Sequence, residues 1–162
     1  MGVDLTRALT FRRLRAGERR PILQLFESMS DRSRASRFHG AKRELSERDL
    51  EQLAAVGCCG REAVVATDRA TGRAVGLARY VVDHEGVAEV AYAVADDWQG
   101  RGVGRRLIVE LARLADARGI DRFRALVASG NRPAIALLDH VGDSARRAYD
   151  GPELEMTVAI RA

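Results

Sequence analysis

The chain has 162 residues, of which 46% are hydrophobic and 31% charged, and its net charge is +4. That describes one domain of ordinary size with enough apolar residues for a core, and it excludes a disordered chain. No run approaches the ~20 apolar residues of a membrane span. Residues 1–20 lack the apolar stretch of a signal peptide, so neither a membrane nor an export role is expected.

The charge is uneven. Residues 1–60 carry 12 Lys or Arg and 8 Asp or Glu, whereas residues 61–162 carry 15 of each, so the excess of 4 is N-terminal. Charge alone would allow nucleic-acid binding, but no zinc pattern, RNA-binding aromatic motif or basic zipper accompanies it, and no nucleic acid is expected. Cys58 and Cys59 are adjacent and cannot build a disulfide framework. No C-x-x-C pair suggests zinc, and a reducing cytoplasm is expected. Lys42 is the only lysine.

In chain order, residues 9–14 read as a first strand. Residues 18–29 read as a helix, with Pro21 in its first turn and Ile22, Leu25, Phe26 and Met29 on one face. Residues 30–39 form a basic helical stretch. Ser46 opens a further helix, with Asp49 three residues on as an imperfect capping box. Strands are expected over 62–67 and 74–82, around a turn at 68–72.

The organising stretch is 87–118. Residues 87–94 alternate large (Val90, Tyr92, Val94) with small (Ala91, Ala93), as a half-buried strand does. Gly100, Gly102 and Gly104 follow within five positions. Residues 105–118 then have a helical period through Leu107, Ile108, Leu111, Leu114 and Ala115, with Gly119 past the end. After it come a strand at 122–128, a helix opened by Asn131-Arg132-Pro133 and running to Val141, and a hairpin of 145–149 with 154–160. The order β-α-α-β-β-β-α-β-α-β-β gives an α/β domain with a mixed sheet.

A helix start leaves about four amide N–H groups without partners and adds roughly half a positive charge. Preceding glycines let an anionic phosphate reach those donors. Arg101, Arg105 and Arg106 add positive charge nearby. A Walker A loop is excluded because no lysine precedes Ser or Thr, and a dinucleotide fingerprint is excluded because its third glycine would fall at Leu107.

What remains, Gln99, Gly102 and Gly104 as Q-x-x-G-x-G between a strand and a helix, resembles the pyrophosphate loop of the GNAT superfamily of N-acetyltransferases. The element order resembles the GNAT fold over nearly the whole chain. That fold is an α+β arrangement: a mixed, mostly antiparallel sheet with a central splayed parallel pair, flanked by helices. The resemblance implies acetyl-CoA as co-substrate, with its pantetheine arm bound by the backbone of Val94. Gly100, Arg101, Gly102, Val103, Gly104 and Arg105 would cradle the pyrophosphate, and Asn131 would stand at the thiol end. The stretch from Ala88 to Gly104 is similar to the acetyltransferase domain of bacterial protein lysine acetyltransferases. So is Met29 to Gly40, which contains S-x-x-S-R-x-x-R-F.

Acetyl transfer to an amine needs a neutral amine, and an alkylamine of pKa near 10.4 is mostly charged at neutral pH. Glu89, a carboxylate in an apolar strand, is the candidate base if the strand desolvates it. The alternative is a solvent-facing Glu89 in a cross-strand pair. In the related lysine acetyltransferases a glutamate at this position is the base. Many GNAT enzymes carry a tyrosine where this chain has Leu138, so the proton for the leaving thiolate would come from Ser129, Tyr149 or water. Asp96 and Asp97, and the scattered His39, His84 and His140, carry less weight as bases or metal ligands, and Trp98 reads as a packing anchor. Arg32, Arg34 and Arg37 would either steer an acidic substrate or be solvated. The expected activity is acetyl transfer to a protein lysine. The alternatives are a small-molecule amine acceptor and a non-catalytic acyl-CoA-binding module. Both monomer and homodimer stay open.

Overall fold

The fold is described from a computed structural model, which covers residues 5–38 and 42–161. After a short 3-10 turn, the order is β1 (Leu9–Arg13), α1 (Arg20–Glu27), α2 (Asp31–Phe38), α3 (Glu47–Ala54), β2 (Arg61–Asp68), β3 (Ala74–Val82) and β4 (Ala88–Val94). Then follow α4 (Val103–Asp116), β5 (Arg122–Ala128), α5 (Arg132–Val141), β6 (Gly142–Asp150) and β7 (Glu153–Ile160). Three helices separate the first two strands, one for each helical stretch read from the sequence there.

The strands form one sheet in the order β1-β2-β3-β4-β5-β7-β6. Every neighbouring pair is antiparallel except β4 with β5. That parallel pair is joined only at Ala88–Phe123 and Glu89–Arg124. Beyond Glu89 the two strands splay, as expected of the GNAT fold.

Helix α4 packs on one face of β2, β3 and β4, while α1 packs against β3 from the other face and touches α3. Leu107, Ile108, Leu111 and Ala115 of α4 are fully buried. Burying each of the larger three contributes about 1.5–3 kcal/mol. The helix lies close to the sheet because β3 offers Gly76, where a Cβ would sit 2.8 Å from Leu107 Cδ1. Gly104 does the same from the helix side: its Cβ would meet the Tyr92 ring at 3.3 Å.

One carboxylate is buried under this layer. Glu62 is 1% exposed. It accepts from Arg13 of β1 at 2.6 Å and pairs with Arg118, just past α4, at 2.5 Å. The ion pairs tie the edge strand to the far end of α4, and pairing is what makes a buried charge tolerable.

Several boundaries differ from the sequence reading for local reasons. Helix α1 begins at Arg20 because Glu18 serves the preceding turn, accepting from Arg12 at 2.6 Å and from the Arg15 N–H at 3.0 Å. Helix α4 begins at Val103, since Gly102 takes φ +83° and becomes its N-cap. Strand β6 begins at Gly142, which pairs with Ile160, so the hairpin is longer than 145–160 alone suggests. The capping box at Ser46 is complete, with Ser46 Oγ accepting from Asp49 N–H and the Asp49 carboxylate accepting from Ser46 N–H. Among the described residues no helix is long and apolar enough to cross a membrane.

Candidate active site

The alternation of an antiparallel ladder decides which way the β4 backbone points. Ala95 donates to the Val75 carbonyl at 2.8 Å, and Asp83 donates to the Val87 carbonyl at 2.9 Å. Odd-numbered residues of β4 therefore bond to β3, and Tyr92 and Val94 turn their N–H and C=O toward β5. Because β5 has already diverged, those groups face a gap in the sheet. Backbone donors in such a place need a partner from outside the sheet.

The loop that closes this gap is fastened at both ends. Gln99 Nε2 donates to the Val94 carbonyl at 3.1 Å and to Ser33 Oγ of α2 at 3.2 Å. Asp96 Oδ1 accepts from the Ser30 N–H at 3.0 Å, a bond that lowers the Asp96 carboxyl below its ordinary range. Trp98 packs against the core, and Arg101 lies over its ring at 5.6 Å. Gly100 and Gly102 both take positive φ, +69° and +83°, which a residue with a Cβ adopts only with strain.

Helix α4 therefore starts without a side-chain cap, and its first turn contains no acid. The first helical bond recorded at its start runs from Arg106 N–H to the Gly102 carbonyl at 3.1 Å. The N–H groups of Val103, Gly104 and Arg105 precede it and have no intrahelical acceptor. Three donors, a helix dipole and an open glycine turn fit an anion of diphosphate size. Gly104 contributes its N–H to this cluster, but its missing side chain serves packing against Tyr92.

The flanking arginines divide. Arg101 and Arg105 are exposed beside the turn, and Arg105 donates to His140 Nε2 of α5 at 2.9 Å. Arg106 does not join them. It pairs with Glu110 at 2.8 Å and lies over Phe11 of β1, on the far side of the helix.

Glu89 stands at the last paired position before the splay. The desolvated carboxylate that its apolar strand suggested is not found: its side chain is 61% exposed and 3.8 Å from Arg124 Nη1 of β5. It lies on the sheet face opposite Tyr92, so the core packing of β4 does not enclose it. Arg124 gives its hydrogen bonds to Asp83 and Glu85, each at 2.8 Å, and none to Glu89. The result is an accessible carboxylate at the mouth of the gap.

Asn131 caps α5, its Oδ1 accepting from the Ala134 N–H at 3.3 Å. Only its Nδ2 is left to donate elsewhere. Leu138 is 2% exposed and belongs to the core. Tyr149 is 68% exposed on β6, and Ser129 is exposed where β5 ends. His84 and Asp97 are exposed; His39 lies outside the described residues. No cluster suited to a metal ion exists among the described residues.

The splay, the uncapped helix start and the exposed glutamate thus lie along one seam of the sheet. Comparison with known proteins decides what that seam belongs to. The profile of the acetyltransferase (GNAT) family matches residues 23–142. The chain belongs to the GNAT family of acetyltransferases. Members of this family are acetyltransferases, and acetyl-CoA is their acyl donor.

Among GNAT relatives, the acetyltransferase Pat of Mycolicibacterium smegmatis is 36% identical over 95 residues, which is 57% of this chain and 28% of Pat. The chain thus spans under a third of that protein's length. Acetyltransferase PA5475 of Pseudomonas aeruginosa is 32% identical over 133 residues, covering 80% of this chain and 72% of PA5475. The crystal structure of the GNAT domain of S. lividans PAT superposes with a TM-score of 0.82 at 26% identity, over 93% of this chain and 89% of that one. That likeness agrees with the resemblance to protein acetyltransferases read from the sequence.

Sequence reasoning missed the clamp made by Ser30 and Ser33, and the role of Arg124. The serines lie in the Met29–Gly40 motif, so the signal was present. That they hold the glycine loop from across the chain was not readable from spacing.

Proposed function

We propose that this GNAT domain acetylates a protein lysine, with Glu89 as general base, by direct attack of the amine on the thioester. The observation that carries the reading is the position of Glu89: an accessible carboxylate at the residue where β4 and β5 part. The N–H groups of Val94, Val103, Gly104 and Arg105 would hold the pantetheine arm and diphosphate, with Gln99, Gly100 and Gly102 shaping the turn. Arg101 and Arg105 would add charge, and Asn131 Nδ2 would stand at the thiol end. Acetyl-CoA supplies an activated acyl group. Glu89 takes the proton of the incoming ammonium, directly or through water. With a core leucine at 138 in place of the family's tyrosine, the proton for the thiolate would come from Ser129, Tyr149 or water. A thiol pKa of ~8.5, by analogy with cysteine, makes a dedicated donor dispensable.

The match to Pat and to S. lividans PAT favours a protein lysine over a small amine. Exposed free thiols at Cys58 and Cys59 suit a reducing cytoplasm. The buried Leu138 favours one second reading, an acyl-CoA-binding module without turnover. Calorimetry with acetyl-CoA and a thiol-release assay over proteins and small amines separate the two. Turnover lost in Glu89→Gln with binding retained supports the enzyme. Binding with no turnover on any acceptor, unchanged by Glu89→Gln, supports the silent module.

A further inference from the structure

The face of the sheet that carries Glu89 also carries Arg79. Val81 is the cross-strand partner of Glu89, and Arg79 lies two residues along β3, diagonally opposite it. Such diagonal neighbours lie about 7–8 Å apart, within reach of long side chains. Arg79 is half-buried. One guanidinium nitrogen, Nη2, donates to the Gln52 carbonyl of α3 at 3.3 Å, while its Nε is buried and meets no acceptor. Among the described residues no carboxylate pairs with it.

Arg37 approaches this face from α2, one turn past Ser33 and so on the side of the helix turned toward β4 and the loop after it. It too is half-buried and makes no ion pair among the described residues, and its guanidinium lies over the Phe38 ring at 5.0 Å. Burial, and then the charge of Arg79, pull the Arg37 guanidinium down to about 10. Elsewhere the fold neutralises its inward-reaching arginines: Arg13 and Arg118 share Glu62, and Arg124 has Asp83 and Glu85. Two neighbouring half-buried cations without an anion are costly, and a buried charge is ordinarily paired. The missing counter-charge is the unexplained feature of this face.

We infer that Arg37 and Arg79 bind a carboxylate carried by the acceptor, placing its amine at Glu89. The inference rests on the acetyltransferase reading of the same site and adds a class of acceptor to it: an amine with a carboxylate a few bonds away. Two sources share that chemistry, an acidic residue beside a lysine in a polypeptide and the α-carboxylate of a free amino acid. A guanidinium pair selects against the neutral analogue because an unmatched pair stays uncompensated.

The test is a calorimetric titration of the chain, saturated with CoA, with acetyl-Asp-Lys-amide and acetyl-Asn-Lys-amide, and with L-lysine and cadaverine. The expected result is that the carboxylate-bearing member of one pair binds at least about tenfold tighter. That preference is lost in Arg37→Met and in Arg79→Met and largely kept in Arg79→Lys, while CoA affinity is unchanged in all three. A preference in the peptide pair assigns a polypeptide acceptor, and one in the lysine–cadaverine pair assigns an amino acid. Equal affinity within both pairs, including no binding at all, overturns the inference, as does a preference that survives both Met variants. Failure of the chain to bind CoA would instead sink the acetyltransferase reading.

Discussion

Glu89 and Arg124 face each other across the last rung that joins β4 to β5, 3.8 Å apart, with the guanidinium's hydrogen bonds spent on Asp83 and Glu85. The glutamate therefore has a positive neighbour but, among the described residues, no hydrogen-bonded partner for its side chain. Replacing it with glutamine keeps the shape and removes the base. Glu89→Gln is expected to lower kcat by about 10²–10⁴-fold, the usual worth of general base catalysis. Steady-state kinetics beside acetyl-CoA calorimetry checks this: binding should stay within about twofold, and a normal kcat would remove Glu89 from the mechanism.

The glycines of the turn have separable jobs. Gly102 takes φ +83° at the N-cap, so Gly102→Ala forces a left-handed alanine at a cost of about 1–2 kcal/mol and displaces the donors of α4. Gly104 faces the Tyr92 ring, and Gly104→Val overpacks that contact for about 1–3 kcal/mol. Urea unfolding and CoA titration together distinguish them. Gly102→Ala should weaken CoA binding more than its stability loss explains. Gly104→Val should mainly lower the unfolding midpoint.

Much of the fold was legible beforehand, for identifiable reasons. Strands β3 and β5 and the packing face of α4 are written in local periodicity, and the pyrophosphate turn in its glycines. What stayed hidden depends on partners distant in sequence. The sequence offered Glu89 as desolvated or solvent-facing, and only the register with β5 shows that it looks outward. Gly104 read as a ligand glycine because its contact, Tyr92, lies on another element. Arg79 gave no signal, since a lone arginine in a strand looks like any edge residue until no acid is found opposite it.

The buried ion pairs of Glu62 hold β1 and the end of α4 together. Glu62→Ala leaves Arg13 and Arg118 without their acceptor and is expected to cost about 1.5–3 kcal/mol, the range for hydrogen bonds to charged groups. Glu62→Gln, which retains an acceptor oxygen, should cost less. Chemical denaturation of both variants checks the order, and equal losses would mean that the charge of Glu62, and not its shape or a neutral acceptor oxygen, is what holds the two arginines.

Acid should loosen the N-terminal region. Hydrogen bonds from Arg12 hold the Glu18 carboxyl down from its ordinary 4.5 to about 2, and Lys42 and then Ser46 hold Asp49 at about 2 from 3.8. Both are carboxyls depressed in the folded state, so their stabilising effect is fully present above the unfolded pKa and is lost as pH falls toward the folded value. Unfolding midpoints should therefore drop between about pH 4.5 and 2. In Glu18→Gln that drop should be shallower, with the loss already present at pH 7. An unchanged slope would show that Glu18 is not ion-paired in solution.

Gln99 reaches Val94 on one side and Ser33 on the other, while Asp96 holds Ser30. The turn that would receive the cofactor and the helix that carries Arg37 are thus mechanically one piece. Linkage then runs both ways: whatever steadies the turn must sharpen the pocket beside it, by the same factor in either direction. Cutting Gln99 to alanine would uncouple the two halves, so that neither occupant any longer alters the affinity for the other.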